Sequence, residues 1–226
     1  MTDGQCPSGR GGPHAFVDDL AAPTLSEADQ RHLGRSLRLR PGDPCTVVDG
    51  HGSWRPCRFG DPLEVDGPIV YVPEAESLLT VGFALIKGSR PELVVQKLTE
   101  LGIDRIVPFV SERSIVRWNT EKRAHHHERW QRVALEAAMQ SRRVRLPLVE
   151  PVQQFAAVAG EPGVHLADLG ARAIGAGVTM VLVGPEGGWT DAERGDLPVV
   201  GLGPQVLRAE TAALAAGVRL AAAREV

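Results

Sequence analysis

The chain has few cysteines and no long apolar run, and each scarcity excludes a class of protein. Its three cysteines, Cys6, Cys45 and Cys57, form no CxxC pair, and their odd number argues against a disulfide framework, so we interpret them as buried or idle thiols. No stretch approaches the roughly 18 consecutive apolar residues of a membrane-spanning helix, so we predict no membrane span. Residues 1–25 lack an apolar signal core, and we therefore expect a cytoplasmic protein.

Neither sign of charge dominates, because 25 Lys and Arg residues stand against 28 Asp and Glu residues. The distribution is more informative than the total. Residues 31–60 carry six arginines against two aspartates, and residues 105–145 carry ten basic residues against four glutamates. Residues 150–226 reverse the sign, with five arginines against nine acidic residues. A basic front and an acidic end favour a polyanionic partner on one side, although solvated arginine-rich helix faces would have the same composition.

The order of the patterns predicts two domains behind a short tail. Residues 1–13 are rich in Gly and polar residues and are predicted to form a flexible tail. Residues 14–76 contain short alternating segments separated by Gly, Pro and Asp turns, which predict a small β-barrel. Residues 77–226 alternate apolar runs with helical patterns, which predicts an α/β domain with a parallel sheet covered by helices on both faces.

Two apolar runs in the last quarter of the chain each lead through a Gly/Pro loop into a helix. The run 178–183 leads into the loop Gly-Pro-Glu-Gly-Gly-Trp at residues 184–189, and the run 199–202 leads into a second loop with the same logic. Gly187 and Gly188 lack a Cβ, so a ligand can approach their backbone closely. A strand, a glycine loop and a helix together form a layout for holding a small polar ligand at the carboxyl end of a sheet.

Both helices that follow these loops have recognisable starts. Thr190 and Glu193 have the spacing of a capping box, so Thr190 is predicted to cap the first helix. Thr211 is predicted to cap the second helix, which should run through the Ala-rich end to Arg224.

Histidine and tryptophan residues offer further candidates, which we interpret as structural. Consecutive histidines at residues 125–127 do not face one metal ion on a helix, so they are interpreted as a solvated helix face. Trp118 and Trp130 are interpreted as core or interface anchors rather than as platforms for stacked bases.

The pair of loops resembles the C-terminal signature of the SPOUT, or trefoil-knot, RNA methyltransferases. In particular, it resembles the group that methylates N3 of a uridine in small-subunit (16S) ribosomal RNA. That group has a GPEGG loop followed by a segment of the form L-G-x-x-x-L-R-x-E-T-A, which here are residues 184–188 and 202–212. An earlier segment of the family, H-x-x-x-V-L-R-x-x-x-G-D, is matched by residues 32–43 with Ser36 in place of the Val.

The middle of the chain fits the same family in the correct order, with two departures. Lys87-Gly88, residues 96–103 and residues 111–114 all match. A later helix end often reads E-Q-x-G-R-x-x-x-P in the family, whereas Met139 here replaces the Glu and Arg142 replaces the Gly. These departures lie where the family approaches its substrate.

The resemblance implies a fold and a cofactor. It implies an α/β fold whose C-terminal SPOUT domain is a trefoil knot, preceded by a PUA-like β-barrel that helps to grip RNA. It also implies S-adenosylmethionine as the methyl donor, no metal, the small ribosomal subunit as partner, and a homodimer with the cofactor site at the subunit interface. The residues implied to bind the cofactor are Leu166, Gly184, Pro185, Glu186, Gly187, Gly188, Leu202, Gly203, Leu207, Thr211 and Ala212.

The resemblance also implies catalytic and RNA-binding residues. Arg208 would orient the substrate and stabilise negative charge on a base oxygen, and Glu210 would either orient Arg208 or accept the N3 proton. A carboxylate at the position of Glu210 would also be favoured simply by the helix dipole. The residues implied to contact RNA phosphates are Arg38, Arg40, Lys87, Arg113, Arg143 and Arg145.

Two other functions remain open at the level of the sequence. One is a SPOUT-fold enzyme that methylates a small heterocycle, which the overall acidity and the altered residues 139 and 142 favour. The other is a non-catalytic RNA-binding protein, against which the intact Gly187, Gly188 and Arg208 count. A classical dinucleotide-binding protein is disfavoured, because no GxGxxG follows the first strand of the α/β domain.

Overall fold

The computed structural model describes residues 6–7 and 11–224, which divide into two compact units. The first unit comprises the chain up to residue 75 together with residues 135–146, and the second comprises residues 76–134 and the chain from residue 147 onward. Most of the predicted flexible tail, residues 1–5 and 8–10, lies outside the described residues. Within the described part of the chain, no helix has both the length and the apolarity to cross a membrane.

The first unit is built on a five-stranded sheet with one short helix. The strands are β1 (His14–Phe16), β2 (Pro44–Val48), β3 (Ser53–Arg58), β4 (Glu64–Val65) and β5 (Val70–Tyr71). β1 is parallel to β2, whereas β3 pairs antiparallel with β2, β4 and β5. Helix α1 (Glu27–Arg31) continues into a π-helical turn (His32–Ser36). Ser26 caps α1, because its hydroxyl accepts the Asp29 N–H.

The core of this unit contains two of the three cysteines. Cys45 and Cys57 lie opposite each other on β2 and β3, and both are buried. Burial raises the pKa of the Cys45 thiol to about 12, so this side chain is a packed, inert thiol. The prediction that these thiols are buried is therefore confirmed for both residues.

The second unit is a seven-stranded parallel sheet covered by helices. Its strands are β6 (Thr80–Ala84), β7 (Arg105–Val110), β8 (Leu148–Val149), β9 (Gln153–Gln154), β10 (Val164–Ala167), β11 (Met180–Val183) and β12 (Val199–Val200). Its helices are α2 (Arg90–Glu100), α4 (Phe155–Ala159), α5 (Asp191–Arg194) and α6 (Ala209–Arg224), and α3 (Thr120–Ser141) begins in it. The strand order is β12-β10-β11-β6-β7-β8, with β9 also paired to β7, so the predicted parallel sheet is confirmed.

The apolar runs form strands because both faces of the sheet are buried. On β11, Val181 and Val183 join one core cluster, whereas Met180 and Leu182 join the other. Successive side chains of a strand point to opposite faces, so an uninterrupted apolar run is required when helices cover both faces. On one of these faces α6 packs against α2 so closely that a Cβ on Gly217 would lie 2.7 Å from Leu98 Cδ2.

Candidate cofactor and substrate site

The candidate site is a cavity at the carboxyl edge of the parallel sheet. Because the strands are parallel, the loops that follow β6, β7, β10, β11 and β12 emerge at the same edge. A cavity of about 230 Å³ opens there, and its walls come from the segments 167–169, 183–189 and 202–212. The two Gly/Pro loops singled out in the sequence therefore meet at one cavity.

Most residues implied to bind the cofactor line this cavity. Those that do are Gly184, Pro185, Glu186, Gly188, Leu202, Gly203, Leu207 and Ala212. Leu166 is instead fully buried in the core, and the lining begins with Ala167. Gly187 and Thr211 also lie off the lining, and Thr211 is exposed on α6. Lining residues that sequence reasoning missed are Asp168, Leu169, Val183, Trp189, Gln205, Val206 and Ala209.

The first glycine loop, residues 184–189, is held by bonds along its whole length. The Gly188 N–H donates to Pro185 O at 2.8 Å, and Trp189 Nε1 donates to Ala167 O at 3.0 Å. The Trp189 ring also stacks on Phe109 with a centroid separation of 6.1 Å. A Cβ on Gly184 would lie 2.9 Å from that indole, so only glycine fits at the start of this loop.

The helix after this loop starts as predicted. Thr190 Oγ1 accepts the Glu193 N–H, and a Glu193 carboxylate oxygen accepts the Thr190 N–H, which completes the capping box of α5. The other Glu193 oxygen accepts the Glu112 N–H at 2.7 Å. The loop after β7 is therefore joined to the first glycine loop through this cap.

Arg113 contacts the first glycine loop directly. Its Nη1 donates to Gly187 O at 2.9 Å and to Trp189 O at 3.1 Å. Sequence reasoning assigned Arg113 to RNA phosphates, but in the structure its guanidinium binds the protein's own loop.

The second glycine loop, residues 202–208, is held only at its ends. Leu202 O accepts from Arg219 Nε at 3.2 Å, and Arg208 O accepts the Ala212 N–H at 2.8 Å. Within it, Val206 is 84 % exposed. Arg208 is also exposed and makes no hydrogen bond or ion pair through its side chain to any residue the structure describes.

The start of α6 corrects one prediction. The helix begins at Ala209, so Thr211 lies inside the first turn and does not cap it. Ala209 is buried, and the first helical hydrogen bond already runs to Arg208 O. Packing of Ala209 in the core therefore sets the start of the helix three residues earlier than a cap at Thr211 would.

Glu210 has a partner that the sequence did not reveal. Its Oε1 lies 3.5 Å from Arg90 Nε at the start of α2, while its Oε2 is buried without a hydrogen-bond partner. Only 15 % of the Glu210 side chain is exposed. The ion pair of this carboxylate is therefore with Arg90, 120 positions earlier in the chain, rather than with Arg208.

The residues implied to contact RNA are divided between the two units. Arg38 and Arg40 are exposed in the first unit, and Lys87 is exposed after β6 in the second. In the first unit, Arg145 donates to His51 O, to Val72 O at 2.9 Å and to Tyr71 Oη at 3.3 Å. Arg143 lies beside it, and its carbonyl hydrogen-bonds to the His14 ring at 3.1 Å.

The three histidines on α3 are not a uniform solvated face, so that interpretation is wrong for two of them. The His126 ring stacks on Trp118 at 4.0 Å, and burial lowers the pKa of His126, although the nearby Glu92 carboxylate acts in the opposite direction. His127 Nε2 donates to Val149 O at 2.8 Å. Trp130 is fully buried, so its interpretation as a core anchor is confirmed. Among the residues that the structure describes, no cluster of three or more His, Cys, Asp or Glu side chains could hold a metal ion.

Solved structures with a similar architecture identify the fold class of this chain. Ribosomal RNA small subunit methyltransferase E from Neisseria gonorrhoeae, solved bound to S-adenosyl methionine, superposes with a TM-score of 0.73 at 28% identity, covering 91% of this chain and 95% of that chain. A Legionella pneumophila chain solved with the same cofactor gives a TM-score of 0.80 at 24% identity over 94% of this chain and 98% of that one, which supports the fold alone. The fold and the site thus define a SPOUT methyltransferase with an N-terminal PUA-like domain.

Sequence families identify the chain more closely. The RNA methyltransferase domain family matches residues 73–221 and the RNA methyltransferase PUA domain family matches residues 25–62, so the chain belongs to the RNA methyltransferase family. Ribosomal RNA small subunit methyltransferase E from Bacillus subtilis is 35% identical over 224 residues, covering 85% of this chain and 88% of that protein. The protein of the same name from Synechocystis is 34% identical over 218 residues, covering 85% of this chain and 70% of that protein.

Proposed function

We propose that this chain transfers a methyl group from S-adenosylmethionine to N3 of a uridine in the 16S RNA of the small ribosomal subunit. The observation that carries the proposal is the cavity formed by the two glycine loops, with the exposed Arg208 at the end of the second loop. The names of the relatives with 34% and 35% identity support the choice of small-subunit ribosomal RNA as substrate.

The cavity fits the cofactor in shape and in charge. A Cβ on Gly188 or Gly203 would meet no atom within 4 Å, so both glycines leave open space on the cavity wall. Leu169, Leu202 and Trp189 supply apolar surface for an adenine ring. Two carboxylates line the cavity. Asp168 is ion-paired with Arg194 at 2.9 Å, so Glu186 is the one that suits a ligand carrying positive charge.

The protein's part in the reaction is binding, orientation and exclusion of water. Bound S-adenosylmethionine supplies a methyl group on a positively charged sulfur, which needs no metal for its transfer. Backbone groups of Gly184, Gly188, Leu202 and Leu207 would hold its adenosine and methionine parts, and Glu186 would supply the negative charge that favours its positively charged sulfur. Holding the reacting groups in line lowers the barrier, because the entropy of bringing them together is lost on binding rather than in the reaction.

Arg208 and Glu210 have different roles in this proposal. The N3–H of uridine is a weak acid, so N3 must lose its proton before it can bond to the methyl carbon. The Arg208 guanidinium orients the base and stabilises the negative charge that develops on a ring oxygen. Glu210, ion-paired with Arg90 and nearly buried, positions the start of α6 and hence Arg208, while the proton leaves to solvent.

The first unit supplies RNA contacts in this proposal. Arg38 and Arg40 are exposed there and would pair with phosphates, which position the RNA without reading its sequence. The substrate base would have to leave its stack to reach Arg208. We also propose that the working form is a cytoplasmic homodimer, as the resemblance to trefoil-knot enzymes implies.

The deciding experiment is methyl transfer from labelled S-adenosylmethionine to small ribosomal subunits from a strain that lacks the endogenous uridine methylation. Nucleoside analysis should detect N3-methyluridine in the small-subunit RNA. Cofactor binding by calorimetry without any transfer would reject the RNA substrate and favour a small heterocycle as acceptor. Absence of cofactor binding would reject both enzymes.

A further inference from the structure

We propose that Arg113 is a positioning residue that holds the first glycine loop in its cofactor-binding conformation. This inference rests on the proposed function, since it concerns the same cofactor site. It replaces the expectation that Arg113 contacts RNA phosphates.

Arg113 extends from a rigid turn, residues 111–114, at the carboxyl end of β7. The Ser111 N–H donates to Ser114 Oγ at 3.0 Å, and the Ser114 N–H donates to Ser111 O at 3.1 Å. The two hydroxyl groups also lie 3.0 Å apart, and both serines are buried. A turn closed by three such bonds gives the Arg113 side chain a fixed origin.

The Arg113 side chain binds the first glycine loop at Gly187, which does not line the cavity, and at Trp189, which does. Its Nη1 donates to the carbonyls of Gly187 and Trp189, and its stem lies against Gly187, where a Cβ would be 3.3 Å from Arg113 Cβ. Gly187 does not line the cavity, whereas its neighbours Glu186 and Gly188 do. Holding the Gly187 carbonyl toward Arg113 therefore turns the residues on either side toward the ligand.

We expect the two hydrogen bonds donated by Arg113 to strengthen cofactor binding. We do not expect the protein to need them in order to fold. A hydrogen bond from a charged donor is among the stronger ones in proteins, and here one nitrogen serves two carbonyls. The Glu112 N–H still joins this turn to Glu193 when Arg113 is replaced. An Arg113 variant should therefore keep the fold and lose only the conformation of the loop.

The test compares Arg113→Ala and Arg113→Lys with the unsubstituted protein and with Arg132→Ala. Arg132 is an exposed arginine on α3, so its replacement removes the same charge away from the site. Calorimetry with S-adenosylmethionine should show binding weakened by about tenfold or more in Arg113→Ala, the factor expected for one lost charge-assisted hydrogen bond. Arg113→Lys should be intermediate, because an ammonium lacks the planar fork of a guanidinium, and Arg132→Ala should be unchanged.

Two further readouts separate positioning from general damage. In steady-state methyl transfer, Arg113→Ala should raise the KM for S-adenosylmethionine while kcat at saturating cofactor stays near that of the unmodified protein. Hydrogen exchange should accelerate in residues 184–189, where the Gly188 N–H bonds to Pro185 O, and remain unchanged in β6. If Arg113→Ala does not fold, the same measurements on Arg113→Lys decide the matter.

Opposite results would overturn the inference. Unchanged cofactor affinity in a folded Arg113→Ala would remove the positioning role. Unchanged cofactor affinity combined with weaker RNA binding and a smaller salt dependence would instead identify Arg113 as a phosphate contact. Failure of the unmodified protein to bind S-adenosylmethionine would count against the proposed function itself, a result distinct from either.

Discussion

Both glycine loops follow an apolar strand and lead into a helix, but they differ in the hydrogen bonds that hold them. The first glycine loop is tied by an internal turn, by the Trp189 indole and by both carbonyl bonds of Arg113. Across the part of the chain that the structure describes, residues 203–207 of the second make no hydrogen bond at all. One wall of the cavity is therefore preformed, and the other is positioned only by its ends.

This difference indicates that a bound ligand must order the second glycine loop rather than the first. A segment with exposed side chains and few hydrogen bonds opens locally at low free-energy cost, so its conformation is easily biased by what binds there. The second glycine loop has these properties and ends in Arg208, the residue assigned to the substrate. We therefore expect cofactor binding to organise the substrate-binding side of the site.

Of the substitutions considered, replacing Arg208 should slow methyl transfer the most. It should impair the substrate role assigned to the second glycine loop without impairing cofactor binding. Arg208→Ala should abolish methyl transfer, by about 10²–10³-fold or more, because a group that stabilises developing charge is lost. Cofactor binding should be retained, since the cavity-lining residues are intact. Single-turnover methyl transfer and calorimetry on the same preparation measure the two quantities, and equal loss of both would contradict the assigned role.

Adding a methyl group to the first glycine loop should destabilise the protein. Gly184→Ala places a Cβ 2.9 Å from the Trp189 ring, so the indole must move. The free energy of unfolding should fall by about 1–3 kcal/mol through overpacking, and cofactor affinity should fall with it.

For comparison, the change in the second glycine loop is Val206→Ser. Because Val206 is largely exposed, the free energy of unfolding should stay within about 0.5 kcal/mol of the original. Chemical denaturation of both variants tests the contrast. Equal destabilisation would show that the second loop is as well packed as the first.

The pair Arg90 and Glu210 tests what supports the end of the second glycine loop. If Glu210 positions Arg208, Arg90→Ala and Glu210→Gln should each slow methyl transfer by about tenfold, and the double variant should be no slower than either single one. If Glu210 instead accepts the N3 proton, Glu210→Gln alone should cost roughly 10²–10⁴-fold. Single-turnover rates of the three variants distinguish these cases.

Hydrogen exchange offers the mildest test, since it changes no residue. Adding S-adenosylhomocysteine should slow exchange in residues 203–207 by a larger factor than in residues 184–189, because only the second loop lacks internal bonds. Equal protection of both loops would mean that the second loop is already ordered in the absence of ligand.

Local signals in the sequence were reliable where neighbouring residues decide the structure. Thr190 and Glu193 form the predicted capping box, because a cap involves only residues three positions apart. The buried strand β11 was predictable from its apolar run, and the two loops at its end from their glycines. These features depend on backbone geometry within a few residues.

Sequence patterns gave wrong or no predictions where a contact with a residue far away in the chain determines the structure. Thr211 has the chemistry of a cap, yet α6 starts at Ala209 because that residue is buried. His126 has the surroundings of a solvated residue, yet it stacks on Trp118. No spacing in the sequence could indicate that Arg90 pairs with Glu210 across 120 positions.

The two departures from the family motif illustrate the same limit. Met139 packs into the core of the first unit, so its identity reflects packing there. Arg142 has a φ of +59°, a left-handed conformation that glycine adopts most easily, and the family has glycine at that position. Packing thus accounts for Met139, whereas the backbone accounts for the family's glycine and leaves the arginine at position 142 without a structural explanation.

The sequence by itself determined the class of fold and the two glycine loops, because these depend on periodicity and on glycine, proline and capping residues close together in the chain. The cofactor followed from the resemblance of these motifs to a known family. Only the tertiary structure decided the pairing of Glu210 with Arg90, the grip of Arg113 on the Gly187 carbonyl and the burial of Leu166. The physical reason is that a side chain's partners depend on which distant strands and helices the fold brings beside it. The pattern of neighbouring residues in the chain carries no information about which distant residues the fold brings into contact.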